Sequence, residues 1–213
     1  MTLPKNINII SSVEALQALN GNPKETTLRK ILPSLEQHSR HFIDNSPFAL
    51  LATCSKSGTD ASPRGDSPGF VQCIDDTTLL IPERPGNRIA DSMRNIIEDG
   101  RIGLLFLIPG INETLRVNGN AYITDDQAYR EKLVYRGKVP KLAIVVDVKE
   151  VYFHCAKAFI RSELWHPDSQ VEPNDFPSLG KILIEQITKQ KADAAAVAGL
   201  DANLTEDAKE NLY

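Results

Sequence analysis

The sequence predicts a mainly β protein, a six-stranded antiparallel barrel with helices at both ends. Three observations carry this reading. Between Pro47 and His154, short apolar runs recur between clusters of Gly, Pro, Asn and Asp. Thr114–Thr124 sets Leu115, Val117, Ala121 and Ile123 against Thr114, Arg116, Asn118 and Asn120, the alternation of a strand with one buried face. The joints are turn-like, and only one helix interrupts the series.

Residues 1–46 read as an N-terminal helical flank. Ser11 or Ser12 can cap a helix through Leu16 and Leu19 that closes at Asn20-Gly21. A second helical region holds Leu28, Ile31 and Leu32, and a third, after Pro33, carries Leu35, Phe42 and Ile43. Residues 47–165 form the barrel domain. Its strands are expected at Phe48–Thr53, Gly69–Ile74, Thr77–Ile81, Arg101–Ile108, Thr114–Thr124 and Leu142–His154. Ser62–Gly69, with two prolines and two glycines, reads as an irregular loop. Residues 166–213 form a helical extension. In it Leu179, Ile182, Leu183 and Ile187 make a stripe for core or dimer packing, and Ala192–Ala198 favours helix. Residues 200–213 are expected to be loosely held.

Composition narrows the function. The chain has 213 residues, 41% hydrophobic and 24% charged, and a net charge of −4, as an ordinary globular protein has. Without a basic block, nucleic-acid binding is not supported. The run Ile102–Ile108 is too short to cross a bilayer, and the first residues show no export signal, so a cytoplasmic protein is expected. Cys54, Cys73 and Cys155 are odd in number and widely spaced, which favours buried small thiols on strands over a disulfide framework or zinc site. His38 and His41 stand three apart with no evident third ligand, so no metal is implied.

Three clusters carry candidate chemistry. In the first, the strand Leu79-Leu80-Ile81 enters Pro82-Glu83-Arg84-Pro85-Gly86-Asn87-Arg88. A helix is expected to leave it, capped by Asn87, ended by Gly100 and buried along Ile89, Met93, Ile96 and Ile97. Arg84 and Arg88 would then crowd a helix N-terminus, which is unfavourable unless an anion such as phosphate sits there. The alternative is that both point into water. The second cluster is Ser62-Pro63-Arg64-Gly65-Asp66, where Ser62 and Arg64 can add to an anion site, or Arg64 can simply pair with Asp66. The third runs from His154 to Trp165. Lys157 and Arg161 lie one helical turn apart beside the only tryptophan, an arrangement suited to an electron-rich planar ligand or, equally, to a solvated basic face.

Taken in order, these segments resemble the pyridoxamine 5′-phosphate oxidase-like FMN-binding family, and within it an uncharacterised bacterial subgroup. The matching stretches are Phe48–Thr53, Ser62–Asp66, Ile81–Arg88, Gly103–Gly110, Glu113–Gly119 and His154–Ala158. The resemblance implies a split β-barrel and a homodimer with FMN at the interface. By position, Arg88, with Asn87 and Arg84 nearby, matches the phosphate-binding segment. Ile81 and Pro82 match strand-end residues along the flavin, and Ser62, Pro63 and Arg64 match a loop near the ribityl chain and ring. His154, Lys157 and Arg161 match a segment reaching FMN from the partner subunit. Thr114 and Arg116 lie on a strand that can face the site. The oxidase's Arg-x-x-x-x-Lys pattern is missing at Gly69–Ile74, and its Arg-Leu-His-type motif is missing after Val151. The resemblance therefore implies the cofactor more than the substrate. It implies an FMN-dependent oxidoreductase working by hydride transfer at flavin N5 on a small molecule. The alternative is a flavin-binding electron carrier, storage or redox-sensing protein without turnover.

Overall fold

A computed structural model describes residues 7–213. Met1–Asn6, on which the absence of an export signal was read, lie outside the described residues. Three helices come first: α1 (Val13–Asn20), α2 (Glu25–Arg29) and α3 (Gln37–Asn45). Ser12 caps α1 by accepting from the Ala15 amide at 3.1 Å. Leu32 is not helical as expected. It is extended and bridges to Val151 through two main-chain hydrogen bonds of 3.0 and 2.9 Å. α3 begins with a capping box. Glu36 accepts from the Ser39 amide, the Ser39 hydroxyl accepts from the Glu36 amide, and Phe42 and Ile43 are buried against the barrel.

The strands are β1 (Phe48–Ser55), β2 (Gly58–Gly65), β3 (Gln72–Cys73), β4 (Thr78–Pro82), β5 (Arg101–Leu107), β6 (Thr114–Thr124) and β7 (Ala143–His154). They form one seven-stranded sheet in the order β2-β1-β5-β6-β7-β4-β3, every pair antiparallel. The sequence predicted six strands, and the extra one is β2. Ser62-Pro63-Arg64-Gly65 is not an irregular loop: it pairs with β1 throughout, with Pro63 opposite Leu50. A proline fits there because β2 is an edge strand and its missing N–H leaves no ladder broken.

Alternation builds the core. β1 buries Ala49, Leu51 and Thr53, and β5 buries Ile102, Leu104 and Phe106. Leu115 and Val117 of β6, and Ile144 and Val146 of β7, complete it. β6 and β7 shift register at Asn118/Gly119. A side chain at Gly119 would lie 2.2 Å from the Asp147 carbonyl oxygen, so this close approach requires glycine. The opposite face of β1 leaves Phe48 and Leu50 more than a third exposed.

α4 (Asp91–Glu98) connects β4 to β5, α5 (Gln127–Glu131) follows β6, and α6 (Lys157–Ser162) follows β7. α4 starts later than predicted. Asn87 does not cap it but folds back to accept from the Ile89 amide at 3.0 Å. Its buried residues are Ser92 and Ile96, while Ile89 and Ile97 are exposed. The C-terminal helices are α7 (Leu179–Thr188) and α8 (Ala194–Glu210). Leu179 and Ile187 are exposed, so their stripe is not part of this chain's core. The end of the chain is not loose: α8 continues to Glu210, and Tyr213 packs on the barrel. The cysteines are not buried as expected: Cys54 and Cys73 lie half-buried on strands, and Cys155 is exposed just past the end of β7. No helix among the described residues is long and apolar enough to cross a membrane.

Candidate functional site

The sheet curls so that edge strand β2 faces the end of β4, although four strands separate them in the ladder. Two ion pairs span this seam. Arg84, just past β4, donates from Nε to Asp66 Oδ2 at 2.8 Å, and Arg64 of β2 lies 3.7 Å from Glu83 Oε2. Asp66 is 1% exposed, so the first is a buried pair. Arg84 therefore does not sit at the helix N-terminus as a free cation. Its guanidinium is tied to a carboxylate of its own chain. Arg64 turns to Glu83, Ser62 Oγ and the Pro63 carbonyl rather than to Asp66.

A cleft of about 1140 Å³ opens at the seam. Ser62, Pro63 and Arg64 line one side, and Glu83, Arg84, Asn87 and Arg88 line another. Lys138–Leu142, the first residues of α4 and Asp207, Asn211 and Tyr213 enclose the rest. Six of the residues singled out from sequence thus converge here. Ile81 and Pro82 do not line it. Both are buried in β4, where Pro82 pairs with Ala143. Two features mark the cleft as unfinished. Arg64 Nε and Glu83 Oε2 are buried with no hydrogen-bond partner among the described residues, a costly state. Burial pushes the Glu83 carboxyl above the usual carboxylate range, while Arg64 opposes this. In addition, α4 opens on Ala90 with no side-chain cap, so its first amides have no such acceptor. Arg88 and Ala90 both adopt left-handed backbone, at φ of 61°. Strain of this kind costs about 1–2 kcal/mol per residue. The cleft also holds acids: Asp60 accepts from Ser92 Oγ at 2.7 Å, and Asp91 starts α4.

The remaining predicted residues lie elsewhere. Thr114 and His154 are paired at one end of the β6–β7 ladder. Arg116 donates to Tyr152 Oη at 3.0 Å and lies over its ring, as does Lys30 Nζ. His154 Nε2 is the third buried polar atom without a partner among the described residues. Burial, then the nearby Arg116 and Lys30 charges, lower the His154 pKa and favour the neutral ring. Lys157 and Arg161 are exposed on α6. Trp165 does not present its ring to them: it stacks on Phe159 and donates from Nε1 to the Ile111 carbonyl. Arg116 lies opposite Leu105, Leu105 opposite Leu50, and Leu50 opposite Pro63 of β2, so about 14 Å of sheet separates the second cluster from β2, and none of its residues lines the cleft.

Sequence reasoning missed Glu83, Lys30, Tyr135 and Tyr213. Glu83 was within reach of it, since it stands inside the first cluster; the others come from distant segments and carry no local signal. Among the described residues, no group of three or more His, Cys, Asp and Glu is placed to hold a metal.

Comparison with known proteins adds the following. A family model described as pyridoxamine 5′-phosphate oxidase matches residues 35–155. No curated protein matches the sequence. Among solved structures, HupZ of Group A Streptococcus is 24% identical with a TM-score of 0.46, over 55% of this chain and 91% of that one. An FMN-binding protein of Syntrophomonas wolfei is 15% identical with a TM-score of 0.44, over 67% and 92%. General stress protein 26 of Bacillus anthracis is 15% identical with a TM-score of 0.41, over 55% and 94%.

Proposed function

Since the chain belongs to the pyridoxamine 5′-phosphate oxidase family, we propose that the seam cleft binds FMN and that the protein is an FMN-dependent oxidoreductase acting on a small molecule. The observation that carries this is the pair of unsatisfied buried groups, Arg64 Nε and Glu83 Oε2, beside an uncapped helix start and Arg84 and Arg88 in one cleft. A donor next to an acceptor suits the edge of a flavin ring, and helix amides with guanidinium groups suit a phosphate. The residues present thus fit the cofactor.

In this reading Arg88, Arg84 and Asn87 hold the phosphate end. Ser62, Pro63 and Arg64 flank the ribityl chain and ring, with Ile81 and Pro82 supporting the strand end behind them. When bound, FMN supplies hydride transfer at N5. The protein's part is to orient the ring, exclude water and fix the charge beside it. Glu83, its carboxyl pushed above the usual range by burial, takes up a proton more readily than an exposed glutamate.

Thr114, Arg116, His154, Lys157 and Arg161 do not line the cleft of their own chain, and Arg116 stands in register with Leu105 and Leu50 on the outer face of the sheet. We assign them to a flavin bound in a second copy, so that the working unit is a homodimer. The uncovered Phe48 and Leu50 on the outer face of β1 support a second copy on this sheet.

Titration of the purified protein with FMN, followed by absorbance and flavin fluorescence, tests the cofactor. A chain that neither carries nor takes up FMN overturns the proposal. Reduction of the bound flavin by NADH or NADPH, then exposure to candidate acceptors, tests the reaction. Sustained turnover supports an enzyme, and a single cycle supports a carrier.

A further inference from the structure

The far end of the chain is fastened into the seam. α8 packs chiefly on α7, where Asp201 Oδ1 accepts from the Gly180 amide at 2.8 Å. Beyond α8 the chain turns to the barrel. Tyr213 donates from its hydroxyl to Asp66 Oδ1 at 3.0 Å, and its main-chain oxygen accepts from Lys138 Nζ at 2.5 Å. Its ring lies 4.7 Å from that of Tyr135, whose hydroxyl meets Ser67 Oγ at 2.7 Å. The Arg84 guanidinium stands 5.5 Å from the Tyr213 ring centre and 5.8 Å from that of Tyr135. Arg136 approaches the same two rings at 5.6 and 5.3 Å.

Arg84 is therefore held by a carboxylate on Nε and by two aromatic faces. The carboxylate that orients it is itself oriented by Tyr213 and by the Ser67 amide at 2.7 Å. Asp66 takes only Nε, so the two terminal nitrogens of Arg84 have no protein partner among the described residues, and Arg84 lines the cleft. An arginine on a free stem loses side-chain entropy when it grips a ligand, and one already fixed does not. Burial, then the bond to Asp66, raise the Tyr213 pKa, so its hydroxyl stays a donor at neutral pH.

We propose that Tyr213 is a positioning residue for the cleft: through Asp66 and its own ring it sets Arg84 to offer its two terminal nitrogens to an anionic group of the bound ligand. The proposal rests on the reading of the cleft as a flavin mononucleotide site. It gives the C-terminal helices a role in ligand selection that neither the strand pattern nor the helical composition suggests.

The test compares wild type, Tyr213→Phe and Tyr213→Ala as full-length proteins. Amide hydrogen exchange is followed first without ligand, and affinities for FMN and for riboflavin, which lacks the phosphate, are then measured by flavin fluorescence. Tyr213→Ala should speed exchange in residues 64–68 and 134–138. It should weaken FMN binding about tenfold, and Tyr213→Phe about threefold, each with riboflavin changed less than about twofold. Loss of the same factor for both ligands, or unchanged exchange, overturns the proposal. If Tyr213→Ala does not fold, Tyr213→Phe in an Arg84→Ala background decides. The effect on FMN should vanish there if Tyr213 acts through Arg84, and its persistence overturns the proposal. A wild-type chain that fails to bind FMN overturns the reading of the cleft itself. Normal FMN binding indifferent to Tyr213 overturns only the positioning role.

Discussion

The two polar clusters of this protein solve the problem of buried charge in opposite ways. At the seam, each arginine facing the cleft from β2 and β4 has a carboxylate opposite it: Arg84 with Asp66, Arg64 with Glu83. At the β6–β7 end, Arg116 and Lys30 lie over the Tyr152 ring beside His154, and no carboxylate figures among the groups that shift the histidine. The seam is nearly complete within one chain and has a few unsatisfied atoms left over. The other cluster is cationic and open. The difference teaches that the first is a preformed cradle, whereas the second gains by meeting something electron-rich from outside.

The largest expected effect separates them by stability. Asp66→Ala leaves Arg84 without its buried partner and should cost about 3–5 kcal/mol, read by urea unfolding. Arg116→Ala removes a side chain half open to solvent and should cost less than about 1 kcal/mol by the same measurement. Equal losses would erase the contrast.

Ligand binding sharpens it next. Arg88→Ala should remove charge-assisted hydrogen bonds worth about 1.5–3 kcal/mol, roughly ten- to hundredfold in FMN affinity, and leave riboflavin nearly unaffected. If both flavins lose the same factor, Arg88 supports the fold and not the phosphate.

Backbone strain is the third difference. Ala90 holds a left-handed conformation at the seam, whereas the second cluster sits on regular strand. Ala90→Gly should relieve the strain and, after the larger entropy of unfolded glycine, stabilise the ligand-free protein by about 0.5–1 kcal/mol. Thermal unfolding checks this, and a loss of stability would show that no strain is stored there.

The smallest effect is one of pH, and its sign differs between the clusters. Glu83 has a raised pKa in the folded state, so its contribution is present at acid pH and is lost as pH rises through that value. His154 has a lowered pKa, so the unfolded chain binds more protons just below 6.5, and stability rises with pH across that window. Unfolding free energies of Glu83→Gln and His154→Gln between about pH 4 and 8 should each lack one of these slopes. Wild-type slopes retained in both variants would place the titrations elsewhere.

Much of the fold was legible in the residues. β1, β5, β6 and β7 were found because alternation and apolar runs are local consequences of a two-residue period. β2 was missed because Pro63 and two flanking glycines carry turn chemistry, and only its place at a sheet edge makes that backbone acceptable in a strand. The helix start was misplaced by three residues, since Asn87 makes a local turn with the same atoms it would use as a cap. Arg84 was read as a free cation because Asp66, eighteen residues earlier, has no sequence mark that pairs it with β4.

By itself, then, the order of residues determined every strand but β2, the helical ends and the grouping of Ser62–Arg64 and Arg84–Arg88 as candidates, because each depends on neighbours within a turn or a strand. Only the tertiary structure decided which arginine is tied, which atoms stay unsatisfied and that Tyr213 returns to the seam. Those outcomes depend on how a curled sheet brings its first and sixth strands together, and long-range closure of that kind leaves no periodic trace along the chain.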